Sequence, residues 1–187
     1  MLSEILLQRT KNSDRGECSV VVPVYNSEGI LFELNKQIQD ALKAYSFELI
    51  LVNDCSRDNS WKEIRAIAEQ FGNVIAVNLR KNSGQDAALM AGFSVTNGKY
   101  VVIMDDDLQH SPFDIPILYE KIIAGFDICY ADFQKKEHAA WKNWGSSLNG
   151  YIADILLNKP KGIYMSPFKI VDSGVIKNIN YKGPFPY

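Results

Sequence analysis

Cysteine is scarce in this chain of 187 residues: Cys18, Cys55 and Cys129 stand far apart, with no CxxC spacing. That excludes a disulfide-stapled miniprotein. An odd cysteine count, with no secretory leader in the first residues, reads as a reducing compartment. Cys18 and Cys129 lie in apolar, strand-like runs and are expected to be buried free thiols. Histidine is scarcer still, with His110 and His138 alone, too few for a histidine-rich metal centre. A surface or hydrogen-bonding role is the default for both. No apolar run approaches the ~20 residues of a membrane-crossing helix, so the chain itself is expected to be soluble and any membrane contact peripheral. The glycine-rich phosphate loops are missing too. No GxGxxG follows the first apolar run, and Gly92…Gly98-Lys99-Tyr100 has Tyr where a P-loop needs Ser or Thr. HExxH and GxSxG are absent. With 20 Lys/Arg against 22 Asp/Glu, nothing favours a nucleic-acid partner.

The charge that is present is unevenly placed. Residues 1–132 hold 12 basic and 19 acidic side chains, whereas residues 133–187 hold 8 and 3. The acidic part suits a metal ion; the basic part suits phosphates or an anionic membrane surface. Apolar residues at 47% and charged residues at 22% are ordinary for one globular domain. Residues 1–17 read as an N-terminal extension, 18–132 as an α/β half, and 133–187 as a helical segment of the same domain. The final Lys182-Gly183-Pro184-Phe185-Pro186-Tyr187 is a loop sequence, so a continuation of the natural chain is expected.

Five β-branched runs recur, at Cys18–Val24, Phe47–Asn53, Asn73–Leu79, Lys99–Asp105 and Phe126–Asp132. Helix-period stretches separate them, at Glu28–Tyr45, Asp58–Phe71, Gln85–Thr96 and Phe113–Ala124. This alternation predicts a mostly parallel sheet, and the unbroken apolar strands predict helices on both of its faces. Beyond Asp132 the beat stops. Trp141–Leu157 reads as one helix with an apolar stripe, assigned first to core, then to an oligomer contact, then to a lipid interface. A short helix is expected near Ile170–Asn178.

In such a sheet, ligands bind beyond the carboxyl ends of the strands. All four of the first strands end in polar residues. Asp105-Asp106-Asp107 is the sharpest of these signals, because three adjacent carboxylates repel one another without a counter-charge. Alternation along an extended chain would point Asp105 and Asp107 one way and Asp106 the other. Two hard oxygen ligands, with Gln109 as a third, suit Mg²⁺ or Mn²⁺. The plain alternative is an acidic turn capping the next helix. Asp54, ending the second strand, is expected to accept hydrogen bonds from a base or ribose, and Asp58 to cap the following helix.

Together, Val22-Pro23-Val24-Tyr25-Asn26-Ser27-Glu28, Val52–Asp58, Asn82–Ala88 with Gly92, and Met104–Pro112 resemble the family-2 glycosyltransferases. That resemblance implies the GT-A fold, a Rossmann-like α/β architecture. The later segments Lys135-Lys136-Glu137-His138, Trp141…Asn149, Lys159–Gly162, Ser166–Lys169 and Tyr181–Pro184 are similar to the polyprenyl-phosphate sugar transferase branch. That branch includes the dolichol-phosphate mannose synthase and undecaprenyl-phosphate 4-deoxy-4-formamido-L-arabinose transferase types.

The resemblance implies a UDP- or GDP-sugar donor, with Pro23, Tyr25 and Glu28 on the base side and Asp54 on the base or ribose. It implies Mg²⁺ or Mn²⁺ on Asp105, Asp107 and Gln109, with Asp106 beside them on the donor, although the branch usually has Ala at that position. Asp107 counts with Lys135, Lys136 and Lys169 as catalytic, the lysines offsetting the charge of a polyprenyl phosphate acceptor. Inversion at the anomeric carbon, on the cytoplasmic side of a membrane, completes the expectation. The rival readings are a saccharide acceptor, a nucleotidyltransferase, and a nucleotide-sugar-binding module without activity. A nucleotidyltransferase would need the basic glycine-rich loop that Pro23–Glu28 lacks.

Overall fold

The computed structural model describes residues 17–131 and 166–178, and the account below concerns the compact unit that excludes 131–166. Its strands are β1 (Cys18–Val24), β2 (Phe47–Asn53), β3 (Val74–Asn78), β4 (Tyr100–Ile103), β5 (Ile128–Tyr130) and β6 (Lys169–Asp172). Its helices are α1 (Leu31–Ala41), α2 (Ser60–Gln70), α3 (Gln85–Phe93), α4 (Ile115–Ile123) and α5 (Ser173–Lys177). A single 3-10 turn, Pro112–Asp114, leads into α4. The sheet runs β3-β2-β1-β4-β6-β5. The first four strands are mutually parallel, and β6 is antiparallel to both of its neighbours.

Both faces of the sheet are covered, as the unbroken apolar strands predict. Val21, Ile50, Val52, Val77, Val101, Ile103 and Val171 form one buried cluster with Ala88 of α3 and Ile176 of α5. The alternate residues Val20, Val22, Leu49, Leu51, Val102 and Ile170 are equally buried, so they line the opposite face. The amphipathic helices α1 and α2 pack on each other and bury Leu31, Leu34, Ile38, Ile64 and Ile67 at helical spacing.

Helix α3 lies so close to the sheet that it needs a glycine. A Cβ on Gly92 would stand 2.5 Å from Val21 Cγ1 and 3.2 Å from Val52 Cγ2. Both valines are stiff and buried, so neither can move aside cheaply. Gly92→Ala is expected to cost about 1–3 kcal/mol of stability. Urea unfolding reads this as a lower midpoint at unchanged m.

The sequence reading needs correcting in three places. The segment expected as a helix over 170–178 opens as β6, and only Ser173–Lys177 is helical. Ile170 and Val171 are buried between β4 and β5, where β-branched residues pack well; Asp172 then accepts the Gly174 N–H at 2.7 Å and starts the helix one residue on. The fifth strand shrinks to Ile128–Tyr130 and moves to the sheet edge, because β6 takes the place beside β4. Cys129 is only half-buried, whereas Cys18 is buried and its thiol is pushed up to about 12 by desolvation. All three cysteines are free. Among the described residues no helix is long and apolar enough to cross a membrane. The expected helix Trp141–Leu157 lies outside the described residues.

Candidate functional site

Parallel pairing sends the carboxyl ends of β1, β2, β3 and β4 to one edge. The loops there are joined to each other largely by side chains. From β1 to β2, the Ser27 N–H donates to Ser60 Oγ at 2.8 Å, and the Asn26 N–H donates to Ser56 Oγ at 3.0 Å. Glu28 accepts the Asn59 side-chain amide at 2.6 Å and the Asn59 N–H at 3.1 Å. Asp58 accepts the Glu28 N–H at 3.0 Å and the Ser60 N–H at 3.0 Å. Partial burial opposes its charge, but these bonds outweigh that and hold its carboxyl below the usual range. Asp58, expected to cap α2, stands one residue before the N-cap Asn59, which makes no side-chain capping bond; Asp58 instead closes the turn onto the Ser60 N–H.

Asp54 is buried, and both of its oxygens face backbone. Oδ1 accepts the Ser83 N–H at 2.7 Å and Oδ2 the Gly84 N–H at 2.8 Å. Gly84 has φ +87°, a left-handed conformation that suits glycine, and α3 begins at the next residue. The first residue of α3 then reaches across to β4: Gln85 Nε2 donates to Asp105 Oδ1 at 2.7 Å. Asp106 accepts the Ser27 hydroxyl, returning the chain of contacts to β1. Asp107 Oδ1 accepts the Gln109 N–H at 3.0 Å.

These loops enclose a cavity of about 490 Å³ lined by Pro23, Val24, Tyr25, Asp54, Asn82, Gly84, Gln85, Ala88 and Asp105–Asp107. The cavity brings together Pro23, Tyr25, Asp54, Asp105, Asp106 and Asp107 from the sequence reading. Glu28 is not in its lining, because its carboxylate holds Asn59 at the start of α2. Gln109 and Lys169 are not in its lining either. Lys169 opens β6 opposite Ile103 on β4, with its Nζ 5.7 Å from the centre of the Tyr130 ring. Because β6 runs antiparallel, its start falls at the same edge as Asp105. Lys135 and Lys136 lie outside the described residues. Neither Gln85 nor Ser27 has a role legible in its residue type or spacing. Their signal was present in the polar strand ends, but which polar residue meets which carboxylate depends on loop geometry.

The alternation argument for the acidic triplet also fails. β4 ends at Ile103, before the triplet, so extended-chain geometry does not reach it, and Leu108 turns with φ +58°. All three carboxylates line the same cavity. Burial raises the Asp105 carboxyl first and Asp107 raises it further, opposed by His110, by the Gln85 hydrogen bond and by Lys169. Burial likewise raises Asp106, against the Ser27 bond. Crowded hard-oxygen donors whose ionised forms are penalised fit a divalent cation. Among the described residues no group of three or more His, Cys, Asp or Glu side chains is arranged to hold a metal ion. An open site of one or two carboxylates suits Mg²⁺ or Mn²⁺ completed by substrate oxygens and water. His110, expected at the surface or in a hydrogen bond, is stacked on Phe168 with ring centres 5.7 Å apart.

A profile of the family described as glycosyl transferase family 2 matches residues 19–179. The undecaprenyl-phosphate 4-deoxy-4-formamido-L-arabinose transferase of Pseudomonas fluorescens (strain SBW25) is 39% identical over 153 residues, 80% of this chain and 44% of that protein. Its counterpart in Pseudomonas syringae pv. syringae (strain B728a) is 34% identical over the same length. The chain thus spans less than half the length of these relatives. Among solved structures, glucosyl-3-phosphoglycerate synthase from Mycobacterium tuberculosis, with Mn²⁺, UDP-glucose and glycerol 3-phosphate, superposes with a TM-score of 0.65 at 18% identity. That match covers 91% of this chain and 61% of the other. A mycobacterial protein reaches a TM-score of 0.69 at 18% identity, covering 91% and 58%. These likenesses concern the fold alone, which is GT-A.

Proposed function

The chain belongs to glycosyl transferase family 2, and from that premise we propose that it transfers a sugar, with inversion, from a nucleoside-diphosphate sugar to a polyprenyl phosphate. The observation that carries the donor half is the meeting of Asp105, Asp106 and Asp107 with Pro23, Tyr25 and Asp54 around one cavity at the strand ends. The acceptor half rests on the relatives named for undecaprenyl phosphate.

In this reading Pro23 and Tyr25 lie against the base, and Asp54 fixes the loop beneath the nucleotide. Asp105 and Asp107 hold Mg²⁺ or Mn²⁺, which offsets charge on the departing diphosphate. A phosphate acceptor is already an oxyanion and needs no strong general base. Lys169 stands at the same edge and offsets acceptor charge. Lys135 and Lys136 have the same assignment on sequence grounds. The basic segment 133–187 meets the membrane surface from its cytoplasmic side, where lipid-borne acceptor is concentrated.

The test offers labelled UDP- and GDP-sugars with a short-chain polyprenyl phosphate, beside a panel of soluble saccharides. Product is expected on the lipid phosphate, dependent on Mn²⁺ or Mg²⁺ and abolished by chelator. Product confined to a saccharide overturns the acceptor assignment. Donor binding with no transfer to any acceptor turns the reading to a binding module.

A further inference from the structure

We infer that Gln85 is a positioning residue for the donor site, holding the Asp105 carboxylate in the orientation in which it meets nucleotide and cation. The inference rests on the donor reading above.

The hydrogen bonds at the strand ends form a closed circuit. Ser27 joins β1 to Ser60 after β2; Asp54 at the end of β2 joins Ser83 and Gly84 before α3; Gln85 joins α3 to Asp105; and Asp106 returns to Ser27. Every link but one ends on a backbone group or on a hydroxyl beside the strand. The remaining link, from Gln85 Nε2 to Asp105 Oδ1 at 2.7 Å, is the only one of the circuit that places an amide on a carboxylate of the acidic triplet. Asp105 lines the cavity beside Asp106 and Asp107, so the orientation of its carboxylate decides which oxygen faces a ligand. A donor on Oδ1 fixes the carboxylate plane and leaves Oδ2 for ligand.

Gln85 is well placed for this. It sits on the first turn of α3, whose start is pinned by the two bonds from Asp54 to Ser83 and Gly84. Its own side chain is exposed, so little of the core depends on it. A purely structural role would therefore show in stability; a positioning role shows in ligand affinity at unchanged stability.

The experiment measures binding of UDP and GDP with Mn²⁺ by calorimetry, together with unfolding midpoints, for the whole chain. The variants are Gln85→Leu, Gln85→Lys, Asp105→Asn and the double variant Gln85→Leu/Asp105→Asn. Gln85→Leu keeps the bulk and loses the donor, and is expected to weaken binding about tenfold with the unfolding midpoint unchanged. Gln85→Lys keeps a donor and is expected to recover most of that loss. In the Asp105→Asn background, Gln85→Leu is expected to add little, because Gln85 acts through Asp105. Wild-type affinity in Gln85→Leu overturns the inference and leaves the donor reading intact. A tenfold loss that persists in the Asp105→Asn background shows direct contact with nucleotide and overturns the positioning role. Wild-type protein that binds neither nucleotide overturns the donor reading and this inference together.

Discussion

Asp107→Asn should abolish cation-dependent binding of nucleoside diphosphate and, with it, sugar transfer. Asp107 is the last carboxylate of the triplet and lines the cavity. Its hydrogen bond in the described structure comes from the Gln109 N–H, which leaves acceptor capacity for a cation. An amide preserves shape but removes the charge that an open, two-carboxylate site depends on. A loss of about 2–5 kcal/mol in cation-dependent binding is expected, or roughly 30- to 5,000-fold. Asp105→Asn should weaken binding strongly but less, because one Asp105 oxygen already faces Gln85 Nε2 and the Asp107 carboxylate keeps its charge. Asp106→Ala should be the mildest of the three. The reason is not strand alternation, since β4 has already ended; it is that Asp106 spends an oxygen on Ser27 and so ties β4 to β1. Titrating UDP into each variant, with Mn²⁺ and with chelator, gives the order. Asp106→Ala as damaging as Asp107→Asn would mean that the chelating pair is wrongly assigned.

The family and the gathering of these polar side chains on one sheet edge are legible in the chain because both rest on patterns that survive without coordinates. Apolar strands at a steady spacing give a parallel sheet, and a parallel sheet gathers its polar ends on one edge. That reasoning placed Pro23, Tyr25, Asp54 and Asp105–Asp107 around one cavity. It failed where local geometry departs from the regular element. Glu28 reads as a ligand residue from its motif, yet its two oxygens are taken by Asn59. The strand Lys169–Asp172 is four residues long and draws its stability from the strands on either side of it, so its own sequence carries no period to distinguish it from a helix start. Gln85 was invisible for the opposite reason. Its residue type is ordinary at a helix start, and only the meeting of α3 with the end of β4 gives it a partner.

Asp54 carries the other large expected effect, because one carboxylate has two candidate roles. The expected role was contact with base or ribose. The structure adds a second one: a buried carboxylate whose two oxygens accept consecutive backbone N–H groups, and so set the left-handed turn at Gly84. Hydrogen bonds to a charged group contribute about 1.5–3 kcal/mol each, and Asp54→Ala strands both donors at once. A stability loss of about 3–5 kcal/mol is expected, with the start of α3 loosened. Asp54→Asn keeps one acceptor and turns an amide toward the other N–H, so about half that loss is expected. Because Asn82, Gly84 and Gln85 line the same cavity, the loosened loop should also weaken UDP binding with no metal present. Urea unfolding and metal-free calorimetry on the same two variants separate the roles. Stability lost with metal-free affinity retained assigns Asp54 to the loop alone. Affinity lost in Asp54→Asn well beyond its loss of stability assigns it direct contact with the nucleotide. Unchanged stability in Asp54→Ala would contradict the anchoring role that its two backbone bonds imply.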